Sequence, residues 1–160
     1  MSHTITVRRP VQTLSVILVA LLAFTAVHVD PADAATRRDR KIERRLHNRS
    51  RANHGRRGLR LVPRLNRIAR KHSLRMARRN DLHHNRRLVR QVRNMRWRRI
   101  GENVGVARNM GRRPTLKALH RAFLKSRPHR RNIMRRRFRR MGVGVVRMSG
   151  KVWVTIVFMG

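Results

Sequence analysis

Lysine and arginine outnumber aspartate and glutamate 43 to 6 in this 160-residue chain, leaving a formal charge of +37, and there is no cysteine. Any compact state must overcome that repulsion by core packing alone, with neither disulfides nor thiol chemistry to help. The length allows one ordinary domain and little more. Most of the cations are arginine, whose planar fork suits bidentate contact with phosphate and carboxylate. The chain is therefore expected to attract polyanions over a Debye length.

The first 35 residues stand apart. Arg8 and Arg9 precede an apolar run from Leu14 to Val27, and Ala32-Asp33-Ala34 follows it. A charged start, a short apolar middle and a small-residue exit make a secretory signal peptide, with cleavage expected after Ala34 or Ala35. As a helix the run would reach about 21 Å, short of the ~30 Å hydrocarbon core, which favours a cleaved signal over a retained anchor. Arg8-Arg9 suggests the twin-arginine route, but Pro10 and Gln12 fit that pattern poorly. The expected division is signal peptide 1–35, basic linker 36–45 and a single domain over 46–160. From Thr36 on, 41 cations face four acids (Asp39, Glu43, Asp81 and Glu102), so the expected mature chain also carries +37.

Ile42, Leu46 and Ala52 place a helix over about 41–53, closed by Gly55 and Gly58. After Pro63 a second helix, about 64–79, sets Leu65, Ile68, Ala69, His72, Met76 and Ala77 on one face at i, i+3, i+4, i+7 spacing, with Leu74 the misfit. The stretch 80–100 is irregular. Pro114-Thr115 opens a helix to about Lys125, Ser126-Arg127-Pro128 interrupts it, and helix resumes over about 129–136. Val143, Val145 and Val146, then Ser149-Gly150, then Val152, Val154, Ile156 and Phe158 read as a hairpin. Helices first and a β-ribbon last make an α+β chain. Gly142 and Gly144 enter a strand rather than leave one, which points to tight backbone packing and not to a nucleotide loop.

Glu102 is the only carboxylate beyond residue 82. Gly101 and Gly105 flank it, suggesting a turn that aims the side chain into a cleft. Of the histidines, His72 lies on an inner helix face and reads as packed core, whereas His47 and His54 sit among arginines and read as solvated. His84, His129 and Glu102 each fall at an irregular junction. Two histidines and a carboxylate suit zinc and leave a fourth position open, although spacing alone does not bring the three together. No nucleophile elbow, phosphate-cradling loop or zinc-protease helix motif is present. Paired acids for glycoside hydrolysis would need Glu102 with Asp81 or an N-terminal acid, and nothing supports that pairing. Trp97, Phe123, Phe138, Trp153 and Phe158 occupy core-like positions rather than a stacking platform, so nucleic acid is not the expected partner.

Taken in order, several segments resemble the CAP superfamily, or SCP-like domain, of cysteine-rich secretory, antigen-5 and pathogenesis-related proteins. They are Leu46-His47-Asn48-Arg49, Gly58-Leu59, Leu65 through Met76-Ala77, Leu82-His83-His84-Asn85, Ile100-Gly101-Glu102-Asn103-Val104, Phe123 through Ile133, and Met141 through Val145 with Val152 to Phe158. The bacterial branch, which also dispenses with disulfides, is the nearer likeness. The resemblance implies a CAP-type α-β-α sandwich with a small antiparallel sheet between helices. It also implies a cleft lined, in eukaryotic members, by two histidines and two glutamates that can hold zinc. On this chain the first histidine falls at His84, the first glutamate at Glu102 and the second histidine at His129. The second glutamate falls at Ser126, so the tetrad is incomplete.

The expected cleft residues are therefore His84, Glu102, His129, Ser126 and Asn103, with His84, Glu102 and His129 as candidate zinc ligands. The expected function is a secreted, monomeric, non-enzymatic protein of the bacterial envelope or exterior. Its basic surface would meet anionic envelope polymers or lipids, and its cleft a small, lipid-like ligand or a divalent metal. Two alternatives remain: a metal-assisted hydrolase using the same cleft, with Glu102 as ligand or general base, and a cationic binder of polyanions, nucleic acid included.

Overall fold

The computed structural model describes residues 31–160, with side chains from Thr36 onward. The charged start and apolar run of the expected signal peptide lie outside the described residues. The elements in order are α1 (Pro31–Ala52), β1 (Arg60–Leu61), α2 (Pro63–Arg79), α3 (Leu88–Val92), β2 (Ile100–Arg108), α4 (Arg112–Lys125), α5 (Arg127–Met134), β3 (Arg140–Met148) and β4 (Lys151–Met159). The strands form one sheet in the order β1-β3-β4-β2. β4 runs antiparallel to both its neighbours, and the two-residue β1 lies parallel to β3. α2 and α3 cover one face, while α1, α4 and α5 cover the other. This is the expected sandwich, with a short parallel edge added. No helix among the described residues is long and apolar enough to cross a membrane.

β4 is the hub. Val152, Val154, Ile156 and Phe158 point beneath α1 and α4, whereas Trp153, Val157 and Met159 point beneath α2. Side chains alternate along a strand, so a central strand between two helical layers must be apolar on both sides. Ser149 and Gly150 connect β3 to β4 with φ of 49° and 71°. Two consecutive positive φ values give the hairpin turn whose twist matches that of its strands.

α2 owes its close seat to β3. Met141, Val143 and Val145 face the α1 layer, so Gly142 and Gly144 face α2. A Cβ on Gly142 would lie 2.3 Å from the carbonyl carbon of Leu65, and one on Gly144 2.2 Å from that of Ala69. The two glycines thus let helix backbone rest on strand backbone, as the sequence implied. Ser73 adds a buried hydrogen bond to Thr155, 2.8 Å between hydroxyl oxygens.

Residues 36–45, expected as a linker, form the middle of α1. The reason is a buried polar stripe: Asp39, Glu43, His47 and Arg51 recur every fourth residue and are each at most 1% exposed. Positions i and i+4 stack on one helix face, and this face meets cations from far along the chain. Arg147 Nη1 donates to Asp39 Oδ2 at 2.6 Å, and Arg112 Nε lies 3.1 Å from Oδ1. Arg51 finds no carboxylate and instead donates to the backbone oxygens of Arg57, Ile133, Arg135 and Phe138. Burial, together with Arg139 and Arg56, lowers its pKa to about 10. His47 is accordingly core, not solvated as expected.

Candidate functional site

Glu102 is not on a turn. It sits in β2, the edge strand opposite β1, paired with Val157 of β4. Its glycines serve close approach instead: a Cβ at Gly101 would stand 2.8 Å from Asn132 Oδ1, and one at Gly105 3.0 Å from the Phe123 ring. Those contacts also fix orientation. Gly101, Asn103 and Gly105 face the α4–α5 layer, so Glu102 and Val104 face the α2 layer, where Val104 packs with Met76, Ala77 and Trp153.

The segment after α2 brings partners to the carboxylate. Asn80 ends α2 in the left-handed conformation, φ 49°, which turns the chain toward the sheet edge. His72 Nε2–H donates to the carbonyl of His83 at 2.8 Å. His84 Nδ1 then reaches Glu102 Oε1 at 2.9 Å, and the backbone N–H of Asn85 donates to the same oxygen at 2.9 Å. The side chain of Asn85 knits the segment together: its Nδ2–H donates to Gln91 Oε1 at 2.9 Å, and its Oδ1 accepts from Arg75 at 3.2 Å. Glu102 Oε2 is buried without a hydrogen-bond partner among the described residues. His84 itself is 64% exposed, so the pair has a wet outer member and a buried inner one.

The other expected residues approach from the opposite face. Asn103 Nδ2–H donates to the His129 carbonyl at 3.1 Å, and Asn132 Nδ2–H to Asn103 Oδ1 at 2.9 Å and to the Glu102 carbonyl at 3.1 Å. The His129 ring packs against Phe123, centroids 5.2 Å apart. Burial lowers the His129 pKa, and the nearby His84 lowers it further. Burial likewise lowers His72, against the opposing influences of the His83 carbonyl and Glu102. Ser126 marks the joint between α4 and α5 and makes no capping bond with its side chain. The five expected residues thus line one sheet edge, four of them in two contacting pairs, His84 with Glu102 and Asn103 with His129. Asn85 and Asn132, which tie that edge to its neighbours, could have been suspected from their places beside His84 and within the 126–133 segment.

His84 Nδ1 and Glu102 Oε1 engage one another, while the His129 ring packs against Phe123 on the α4–α5 side, so the three candidate zinc ligands do not converge within 4.8 Å of one another. Among the described residues, the three-residue group whose ligand-type atoms all lie within 4.8 Å of one another is Glu43, His47 and His120. These are buried between α1 and α4. Burial, then the neighbouring His47, pushes His120 down to about 3.

Beside the His84–Glu102 pair lies a cavity of about 350 Å³ walled by Arg75, Arg79, Arg86 and Arg87, with His84 and Asn85 also in its lining. The acid on its wall, Asp81, is paired with His83 at 3.0 Å. Four guanidinium groups against one engaged carboxylate make this mouth suited to anions.

A family model described as "CAP: Cysteine-rich secretory protein family" matches residues 44–158. The fold is similar to an outer surface protein from Borrelia burgdorferi, TM-score 0.65 at 14% identity over 78% of this chain and 93% of that one. It is also similar to an extracellular protein containing an SCP domain from Bacillus anthracis, TM-score 0.63 at 20% identity over 84% of this chain and 45% of that one. A cysteine-rich secretory protein from Staphylococcus aureus gives TM-score 0.62 at 20% identity, over 82% and 41% of the two chains. This chain thus spans under half the length of the latter two. No curated protein matches the sequence.

Proposed function

This chain belongs to the CAP, or cysteine-rich secretory protein, family, and we propose that it is an exported, non-catalytic member acting at the cell exterior. Its cationic surface holds it to anionic envelope polymers or lipid, and the mouth beside His84 and Glu102 takes a small anionic ligand. The observation that carries this reading is the cavity walled by Arg75, Arg79, Arg86 and Arg87 next to that pair. An arginine cluster recognises phosphate-like groups by charge and by paired donors. The exposed His84 ring adds a polar contact at the rim. The Borrelia burgdorferi neighbour is an outer surface protein and the Bacillus anthracis neighbour an extracellular one, which agrees with export, as do the features of residues 1–35.

We favour binding over hydrolysis on two features of the cleft. Glu102 Oε1 already accepts from Asn85 and contacts His84, and Ser126 stands where the family's second glutamate is expected.

Two measurements test the proposal. Sedimentation with phosphatidylglycerol vesicles should carry the protein down at low salt and release it steeply as salt rises, while phosphatidylcholine vesicles leave it in solution. Calorimetry with monomeric short-chain phosphatidylglycerol should then lose its signal in Arg79→Ser/Arg86→Ser/Arg87→Ser. A triple of equal charge placed elsewhere, Arg60→Ser/Arg108→Ser/Arg121→Ser, should keep it. Equal losses in both triples would mean that only bulk charge matters and the cleft is not the ligand site.

A further inference from the structure

We propose that Glu43, His47 and His120 form a buried structural metal site that staples α1 to α4, separate from the cleft. Glu43 and His47 stand four residues apart on the inner face of α1, and His120 comes from the middle of α4. Their exposures are 0%, 0% and 4%. Each contributes a ligand-type atom, and the three atoms lie within 4.8 Å of one another.

Their hydrogen bonds leave donor atoms over. His47 Nδ1–H donates to the Glu43 carbonyl at 2.8 Å and stands 3.3 Å from Glu43 Oε2. His120 Nε2 is paired with Ser50 Oγ at 2.8 Å. Among the described residues no hydrogen-bond partner meets Glu43 Oε1 or Oε2, His47 Nε2 or His120 Nδ1, all buried. A neutral imidazole that donates from one nitrogen offers a lone pair at the other. Metal-bound histidines show this division, one nitrogen on the ion and the second held by an outer group. The His47 and His120 rings lie edge to face, centroids 4.6 Å apart.

Carboxylate oxygens and one nitrogen of each imidazole left without hydrogen-bond partners in a dry interior are costly. One divalent ion would satisfy all three together. The donor set of two nitrogens and a carboxylate selects zinc-class ions over magnesium or calcium. Bonds of about 2.0–2.1 Å hold ligand atoms roughly 3.4 Å apart, a contraction that small side-chain rotations can supply. The ion would join residues 47 and 120 in a fold that has no cysteine with which to do so. Because the site is closed, loading is expected during folding rather than by diffusion into the finished domain.

The test refolds the full chain with Co²⁺ or Zn²⁺, and repeats it in the cleft variant His84→Ala/His129→Ala. Both proteins should take up one equivalent of Co²⁺ with a visible ligand-field band. Zinc at about a thousandfold excess over Kd should raise Tm by more than about 5 °C. Glu43→Gln and His120→Gln should each weaken binding by at least about 100-fold. A folded parent with no saturable equivalent would overturn the proposal, as would an equivalent lost in the cleft variant. Should either core variant fail to fold, the parent and cleft variant decide alone.

Discussion

The two helices that press on the sheet from opposite sides solve burial in opposite ways. α2 presents Leu65, Ile68, Ala69, Met76 and Ala77, with its backbone laid against Gly142 and Gly144. α1 presents Asp39, Glu43, His47 and Arg51, each at most 1% exposed. Packing of the first kind depends on shape and tolerates a change of atom type at constant volume. Packing of the second kind depends on partners, because a buried ion or polar group that loses its match keeps its desolvation cost. In a chain of charge +37 the second kind has a further effect. Three of the four acids from Thr36 on lie in the interior, Asp39, Glu43 and Glu102, so the surface is left almost wholly cationic.

The sharpest way to break the contrast is at its steric end. Gly144→Ala places a Cβ 2.2 Å from helix backbone that cannot move aside, and should cost more than about 4 kcal/mol. Far-ultraviolet circular dichroism should then show no cooperative thermal transition. Next comes the polar side. Arg51→Met strands the carbonyls of Ile133, Arg135 and Phe138 and should cost about 3 kcal/mol in urea melts. The near-isosteric Asp39→Asn should cost about 2 kcal/mol through loss of Arg147 and Arg112, whereas Met76→Leu on α2 should cost under about 1.5 kcal/mol. If the two near-isosteric exchanges proved equal, the distinction between shape and partner would collapse.

A pH series probes both faces together. His72 is the titratable group on the inner side of α2, and burial lowers its pKa, as it does that of His129. Both bind a proton less readily when folded than when unfolded, where the midpoint is near pH 6.5. Stability is therefore full above about pH 6.5 and falls on acidification, by up to about 1.4 kcal/mol per pH unit for each such histidine. Histidine ring titrations followed by NMR should place both midpoints below 6.5, and His72→Gln should flatten the slope of Tm against pH. The smallest effect belongs to the outer side of α2, where Arg67→Gln with Arg70→Gln should shift stability by no more than about 0.5 kcal/mol.

The same contrast explains what could be read in the sequence. α2 was legible because its apolar residues follow the helical period, and the β3–β4 hairpin because Ser149-Gly150 interrupts alternating valines. α1 was half legible: Ile42 and Leu46 marked it, but its buried stripe uses the residue types that ordinarily mark solvent. Asp39 and His47 become interior only through Arg112, Arg147 and His120, more than 70 residues away along the chain. β2 was missed because two glycines in six residues look like a turn, and the side chains that fill their space, Asn132 and Phe123, lie in α5 and α4. Glu102, His84 and His129 stood out at irregular junctions, and the resemblance joined them into one cleft and added Ser126. What the motif order could not convey was that alternation along β2 turns Glu102 toward the α2 layer, whereas the His129 ring packs against Phe123 in the other layer.

The position of β4 orders the events of biosynthesis. β2 and β3 have no direct pairing and meet only through β4, the last of the four strands to be made. At roughly 5–20 residues per second, β4 follows β2 out of the ribosome by about 3–10 s. Throughout that interval the edge that carries Glu102 lacks the strand it pairs with, and the apolar faces of α2 and α4 have no sheet to close on. Mutual repulsion between such half-made, highly cationic chains would keep neighbours on a polysome from sticking to one another before the last strand arrives.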